Sequence, residues 1–320
     1  MRIQPLVSVI IPAFNAQDLI GETLDSILAQ TYMNLEIIVI DDGSTDQTRQ
    51  VVQRYEPKVS YYYQENSGGC AVPRNTGISY SNGDYLCFMD ADDLMMPDRI
   101  MQQVDFMERY TDVGLVFCDY RNFDERGCYA DSHFKTCPKL WFKLHNQQDL
   151  ILDNPCSYLV QENYGIAGSF MIRKAVLKFA PSFDPTLKAC EDFHFYYRLA
   201  RHVPVGVINK VGMLRRLHAN NMSGNPKKML AAGIKSRTLL KETENSFHII
   251  AQLDRYIANC HSSLARYFAD HNQYMDALQQ DWQGLYKDLC WKRLQIAARG
   301  IGRTLLLALG AREIQRWMAK

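Results

Sequence analysis

A chain of 320 residues that is 47% hydrophobic can bury a sizeable core in one or two domains. Charged residues make up 22% and leave a formal charge of only +1, so no global field argues for a nucleic-acid partner. Nine cysteines at irregular spacing, with no C-x-x-C pair, argue against a disulfide framework and a zinc site. The opening Met-Arg-Ile-Gln-Pro lacks the pattern of a secretion signal, and no apolar run is long enough to cross a bilayer. A reduced, cytoplasmic protein is therefore expected.

Leu6-Val-Ser-Val-Ile-Ile11 is a near-continuous β-branched run, as in strands buried on both faces. Pro12 is expected to end it and Asn15 to open a loop, with Asp18 capping a helix that carries Leu19, Thr23, Ile27 and Leu28. A second strand, Glu36 to Ile40, runs into Asp41-Asp-Gly-Ser-Thr-Asp46. A helix through Val51, Val52 and Tyr55 leads to a third strand, Val59 to Tyr63. Glu65 to Gly69 reads as a loop, and Pro73 to Ser79 as a helix with Arg74 and Asn75 in its first turn. After a turn at Asn82-Gly-Asp84, a strand from Tyr85 to Met89 ends in three carboxylates, Asp90, Asp92 and Asp93.

Strands alternating with helices predict βαβ units in a Rossmann-like, mostly parallel sheet, whose ligands sit beyond the carboxyl ends of the strands. Pro12 to Asn15, Asp41 to Asp46 and Asp90 to Asp93 would then share one edge. Buried carboxylates need a counter-charge. At a strand tip, hard oxygen ligands suit Mg2+ or Mn2+ bridging to a phosphate. The plainer account is a solvated turn with Asp93 capping a helix that starts near Pro97.

Met101 to Tyr110 reads as a helix and Val113 to Tyr120 as a strand. Asn122 to Gln148 looks irregular and aromatic, with Phe134, Trp141, Phe142 and His145. Gly165 to Ile172 reads as loop and strand, Arg173 to Leu177 as a short helix, Glu191 to His202 as a helix, and Gly206 to Met213 as a strand leading to His218. From Asn225 the pattern becomes helical, with a hairpin across Asp270-His-Asn272. Lys292 to Lys320 sets Arg293, Arg299, Arg303, Arg312 and Arg316 beside Leu305, Leu306, Leu307, Leu309, Ile314 and Trp317. Such a basic amphipathic helix either packs on its own domain or lies on an anionic membrane surface.

No P-loop, no G-x-G-x-x-G after the first strand and no G-x-S-x-G elbow occurs. Instead Ser8-Val-Ile-Ile-Pro-Ala-Phe-Asn15, Asp41-Asp-Gly-Ser-Thr-Asp46, Asn66-Ser-Gly-Gly69, Arg74-Asn-Thr-Gly77, Asp90-Ala-Asp-Asp93 and Glu191-Asp192 follow one another. Over roughly the first two-thirds of the chain this order closely resembles family 2 glycosyltransferases of the GT-A fold. The resemblance implies an inverting transfer of a sugar from a nucleotide-sugar, a UDP-sugar by the one N–H that uracil offers, to a hydroxyl of a glycan or glycolipid. Pro12, Phe14 and Asn15 would line the base pocket, and Asp42 or its neighbour Asp41 would accept from the base. Asn66 and Arg74 would face the base or phosphates. Asp90, with Ala91 beside it, would lie near the ribose or donor sugar. Asp92 would ligate Mn2+ or Mg2+, with Asp93 as a further or alternative ligand and His218 near the diphosphate and metal. Asp192 would be the catalytic base, Glu191 would position the loop or acceptor, and Gly168 with Ser169 would floor the site. A structural alternative makes Glu191 and Asp192 an N-cap pair.

The expected division is a GT-A catalytic domain over 1–224, with a nucleotide-sugar-binding half (1–110) and an acceptor half (111–224), followed by an all-helical region over 225–320. The polymerase signature Q/R-x-x-R-W is absent after Arg216, so single transfers are expected. Cys70 departs from the small or polar residue expected after Ser67-Gly-Gly. A non-catalytic nucleotide-binding domain with a partner-recruiting tail is the second reading; intact Asp90, Asp92 and Asp192 speak against it. A nucleotidyltransferase would want a basic phosphate loop, and Pro12 to Ile20 holds no Lys or Arg.

Overall fold

The structure, a computed structural model, describes residues 4–219, 221–288, 296–305 and 307–308. It forms two compact units, divided between Asn221 and Met222.

In the first unit, β1 (Val7–Ala13), β2 (Leu35–Asp42), β3 (Val59–Gln64) and β4 (Tyr85–Phe88) make the parallel part of a ten-stranded sheet, in the order β3-β2-β1-β4. Helices α1 (Ile20–Leu28), α2 (Thr48–Gln53) and α3 (Ala71–Tyr80) connect them. The period of two along β1 sorts its side chains between two covered faces. Val7, Val9 and Ile11 join Ile20, Leu24 and Ile27 of α1 in a core that also takes Ile100, Val104 and Met107 of α4 (Arg99–Arg109). Ile10 turns to α3, which approaches so closely that a Cβ on Gly77 would lie 2.3 Å from Ile10 Cγ2.

Pro12 does not end its strand. Ile10 accepts from the Met89 N–H, so the even-numbered residues of β1 face β4, which stops at Phe88. Pro12 thus occupies a position with no ladder bond to make, and β1 continues beside β2 until Ala13 pairs with Asp41. Nor does Asp18 cap α1: the cap position is Leu19, without a side-chain bond. The loop before α1 is held from the next crossover, where Asp46 accepts from Gln17 N–H and Thr48 from Ala16 N–H.

Beyond β4 the sheet is mixed. β9 (Phe170–Arg173) lies antiparallel between β4 and β6 (Leu115–Asp124), and β10 (Val205–Arg216) runs parallel to β6 with β5 (Leu94–Met95) on its outer edge. The stretch expected to be irregular is largely ordered. β7 (Gly127–Ser132) returns along β6; α5 (Pro138–Leu144), β8 (Asp149–Leu152) and α6 (Pro155–Glu162) follow, with β8 antiparallel on β10. β7 is exposed along nearly its whole length, so it carries no apolar alternation for the sequence to show. α7 (Glu191–Ala200) lays Phe195 on Phe183, with ring centroids 4.0 Å apart, and Tyr196 edge-on to Phe117 at 5.2 Å.

The second unit is helical: α8 (Pro226–Thr243), α9 (Phe247–Asp270), α10 (Tyr274–Lys287) and a helical stretch over residues 296–305. Asn225 caps α8 by accepting from Lys228 N–H at 3.0 Å, with Pro226 at the first helical position. α9 buries Ile249, Leu253, Ile257 and Leu264 along one stripe, and Asn272 at φ 61° turns the chain into α10. Among the described residues no helix is long and apolar enough to cross a membrane. Of the basic tail, Arg293, Leu306, Leu309, Arg312, Ile314, Arg316 and Trp317 lie outside the described residues. Within them, Ala297 and Thr304 are buried and Arg303 pairs with Asp270 at 2.7 Å.

Asp281 of α10 is 3% exposed, and its Oδ2 has no hydrogen-bond partner among the described residues. Burial pushes its carboxyl up to about 6, against the pull of Arg266. The native state then holds this proton where the unfolded chain has released it, so this residue makes stability fall as pH rises from about 4 to about 6. Asp281→Asn is expected to raise the melting temperature at pH 7 and to flatten that slope, as thermal denaturation across pH would show. An unchanged slope would contradict it.

Candidate active site

Strand direction decides which residues meet. β9 is antiparallel to β4, with Cys87 opposite Met171, so the turn before it, Ala167–Ser169, lies at the carboxyl end of β4 beside Asp90. β6 is antiparallel to β9 and therefore runs with β4, as does β10, so Arg216 and His218 also leave the sheet at this edge.

Three acids gather after β4. Asp92 Oδ2 lies 2.9 Å from His218 Nε2 and accepts from Asn221 Nδ2 at 3.2 Å. Both partners of the Asp92–His218 pair keep about a quarter of their side chain exposed. Asp93 is different. It is 3% exposed, and its carboxylate accepts from Arg216 N–H at 2.8 Å rather than facing the Asp92–His218 pair. It caps no helix either, since α4 begins behind Asp98. The loop is braced from both sides: Thr23 Oγ1 donates to the carbonyls of Ala91 and Asp93, and Arg216 Nε to that of Asp92. Burial, then the neighbouring Asp90, raises Asp92, with His218 opposing. Burial, then Asp92 and Asp90, pushes Asp93 well above the carboxylate range. Such crowding is what a cation would relieve. Among the described residues no three His, Cys, Asp or Glu side chains converge as a ready-made cage. The Asp92–His218 pair would suit an ion that takes its other ligands from phosphate oxygens and water.

Glu191 and Asp192 open α7 behind Cys190, which holds the cap position at φ 57°; they are the first helical residues rather than an N-cap pair. Glu191 is 5% exposed and binds Arg74 Nη1 at 2.5 Å. Arg74, 2% exposed, reaches Asp90 Oδ1 with its other terminal nitrogen at 2.6 Å. The two acidic motifs therefore share one guanidinium. Asp192 is half-buried, with Oδ1 on Phe193 N–H at 2.7 Å and Oδ2 on Ala167 N–H at 3.1 Å. Burial, with help from Asp90, raises its pKa, while Arg74 and the two N–H groups pull it down. A partly exposed carboxylate of raised pKa can take a proton at neutral pH.

On the other side lie the ends of β1 and β2. Phe14 is 52% exposed and Pro12 is buried. Asn15 at φ 48° stitches the two loops together, its Oδ1 accepting from Thr45 N–H at 2.9 Å and its N–H donating to Ser44 Oγ at 2.9 Å. Asp41 accepts from Tyr61 O–H at 2.6 Å and Ser44 N–H at 2.8 Å. Asp42 accepts from Gln64 Nε2 at 2.6 Å and from Ser67 N–H at 3.0 Å. Both carboxylates are buried, so any further donor must share oxygens already engaged. Asn66 donates to the Asp42 carbonyl at 2.8 Å and packs on Gly43, where a Cβ would lie 2.6 Å from Asn66 N. Gly43, at φ 82°, is the one residue type that fits there. Gly168 is likewise closed in, with a Cβ landing 2.7 Å from Met213 Sδ.

Sequence reasoning missed Thr23, Gln64, Ser67, Arg216 and Asn221 as members of this network. Thr23 lies on the apolar stripe of α1, and a polar residue there is a signal; the others are loop or strand-end residues with none.

The profile of the family described as Glycosyl transferase family 2 matches residues 8–178. An uncharacterised glycosyltransferase of Rickettsia prowazekii is 32% identical over 217 residues, covering 67% of this chain and 65% of that protein. The chain thus spans just under two-thirds of that relative's length. A Bacillus subtilis glycosyltransferase named for teichuronic acid biosynthesis, TuaG, is 41% identical over 107 residues, 32% of this chain and 42% of that one. Among solved structures, S. aureus TarS 1-349 in complex with UDP-GlcNAc superposes with a TM-score of 0.70 at 22% identity, over 96% of this chain and 92% of that one. The mannosyltransferase PcManGT from Pyrobaculum calidifontis, in complex with GDP-Man and Mn2+, gives 0.59 at 18% identity, over 96% and 88%. The architecture is the GT-A fold with a helical C-terminal region. Ordered motifs, a shared edge and the family profile agree, and the chain belongs to the family 2 glycosyltransferases.

Proposed function

We propose that this transferase moves one sugar at a time, with inversion, from a UDP-sugar to a hydroxyl of a glycan or glycolipid in the assembly of a surface polysaccharide. The observation that supports this reading is the Arg74 bridge, which joins Asp90 to Glu191 and so ties the loop carrying Asp92 to the helix start carrying Asp192. Asp192 takes the proton of the acceptor hydroxyl as its oxygen attacks the anomeric carbon from the face opposite the leaving diphosphate. One base suffices, because a single displacement needs no carboxylate nucleophile. Pro12, Phe14, Asn15, Asp41, Asp42 and Asn66 hold the nucleoside; Asp90, Ala91 and Gly168 surround the donor sugar. Asp92 and His218 hold Mn2+ or Mg2+, with Asp93 behind them, and the ion supplies charge neutralisation to the departing diphosphate.

UDP is favoured as the donor nucleotide because TarS is known with UDP and with UDP-GlcNAc. TuaG, by its name, supports the polysaccharide setting. We assign residues 1–224 to catalysis and 225–320 to a helical region, and place the reaction in the cytoplasm; the burial of Ala297 and Thr304 and the Arg303–Asp270 pair favour a tail packed on its own unit over one lying on a membrane. A panel of nucleotide-sugars screened by thermal shift with Mn2+ tests the donor. UDP and one UDP-sugar are expected to raise the melting temperature most. A larger rise with GDP- or dTDP-sugars would overturn the UDP assignment.

A further inference from the structure

Arg74 does not serve the nucleotide in the way an arginine beside a diphosphate would. It is 2% exposed, each terminal nitrogen is bonded to a carboxylate, Asp90 or Glu191, and its Nε is buried without a hydrogen-bond partner among the described residues. The face of Phe183 lies 5.5 Å from its guanidinium carbon. Its neighbour Asn75 grips the same region through the backbone: Nδ2 donates to Phe183 O at 2.9 Å, and Oδ1 accepts from Phe183 N–H at 2.8 Å. The first half of α3 thus holds the segment leading into α7 at two points, Phe183 and Glu191. α3 is itself seated on β1 through Gly77.

We propose that Arg74 is a positioning residue of the transfer rather than a nucleotide ligand: its guanidinium fixes Glu191 against Asp90, so that Asp192, the next residue of α7, faces the donor sugar at a set distance. This rests on Asp192 being the base. The geometry demands the planar fork of arginine. Two carboxylates from elements 117 and 16 residues away in the chain must be met at once, at 2.5 and 2.6 Å. A lysine ammonium is a point charge on a flexible stem and holds no such fixed fork. Without the bridge, the buried Glu191 loses its counter-charge and the start of α7 loses its anchor. A displacement of about 1 Å in a reacting group can cost about 100-fold in rate.

The test uses the full chain with Arg74→Lys, Arg74→Gln, Glu191→Gln, the Arg74→Gln/Glu191→Gln pair, and Asp192→Asn as reference. Turnover and acceptor KM are measured beside UDP affinity by calorimetry with Mn2+. Arg74→Lys is expected to lose about 100-fold in kcat while its UDP Kd stays within about twofold. The double variant is expected to be no slower than Arg74→Gln alone, because Glu191 and Arg74 act as one unit. A loss of UDP affinity matching the loss of rate would make Arg74 a ligand and overturn the proposal, as would additive losses in the double variant. If Arg74→Gln does not fold, Arg74→Lys and Glu191→Gln carry the comparison, with circular dichroism showing that they are native. Full turnover in Asp192→Asn would remove the base and the mechanism with it. A dead Asp192→Asn beside a fully active Arg74→Lys would remove the positioning role alone.

Discussion

Asp192→Asn is expected to bind UDP as the parent does and to turn over about a thousand times more slowly, within the range that general bases contribute. That factor corresponds to about 4 kcal/mol of transition-state stabilisation. The change is nearly isosteric and leaves one acceptor oxygen, which keeps the Phe193 N–H bond at the helix start while the Ala167 N–H loses its acceptor. What disappears is the proton acceptor. The pH profile supplies a second reading. Burial sets the Asp192 pKa above its ordinary value, so the acidic limb of kcat/KM is expected above the ~4 of a free aspartate. As pH falls through that raised value the base takes up a proton and the rate is lost. Calorimetry, a transfer assay and a pH series decide the matter. Full activity in the variant, or a limb at the ordinary aspartate value, would remove Asp192 from the role.

Chelation is expected to have a comparable effect through the donor rather than the acceptor. With EDTA present, turnover is expected to fall by about 100-fold or more, since a bound cation supplies several kcal/mol to a departing diphosphate. Added Mn2+ or Mg2+ restores it. Asp92→Asn and His218→Ala raise the metal concentration needed for half-maximal rate, because these two side chains are the pair within reach of one another. Asp93→Asn is expected to act differently. Its carboxylate serves the Arg216 backbone, so the change disturbs stability more than metal requirement. UDP affinity indifferent to EDTA, or a metal requirement unmoved in Asp92→Asn, would refute the assignment of that pair.

The parallel half of the sheet was legible in the sequence because its signals are local. β1, β2 and β4 are short apolar runs that stop at Asn15, Asp42 and Asp90, and the alternation of strand and helix placed those ends together. The antiparallel entry of β9 was not legible: nothing in Phe170 to Arg173 states a direction, and only pairing with β4 and β6 fixes it. The role of Arg74 was hidden for the same reason. An arginine in a helix's first turns has the same spelling whether it meets solvent, a phosphate or two carboxylates far along the chain. Pro12 misled because proline usually closes a strand, and its tolerance here depends on β4 stopping two residues short of it.

β7 pairs only with β6 and β8 only with β10, each off the main run of strands. The chain from Gly127 to Glu162 is thus an annex on a finished frame. The parallel strands β1 to β4 and the loops at their carboxyl ends are built without it, while its α6 packs on α7. On the proposed division of the chain, a chimera carrying a relative's counterpart of this annex is expected to keep its nucleotide preference and to change its acceptor.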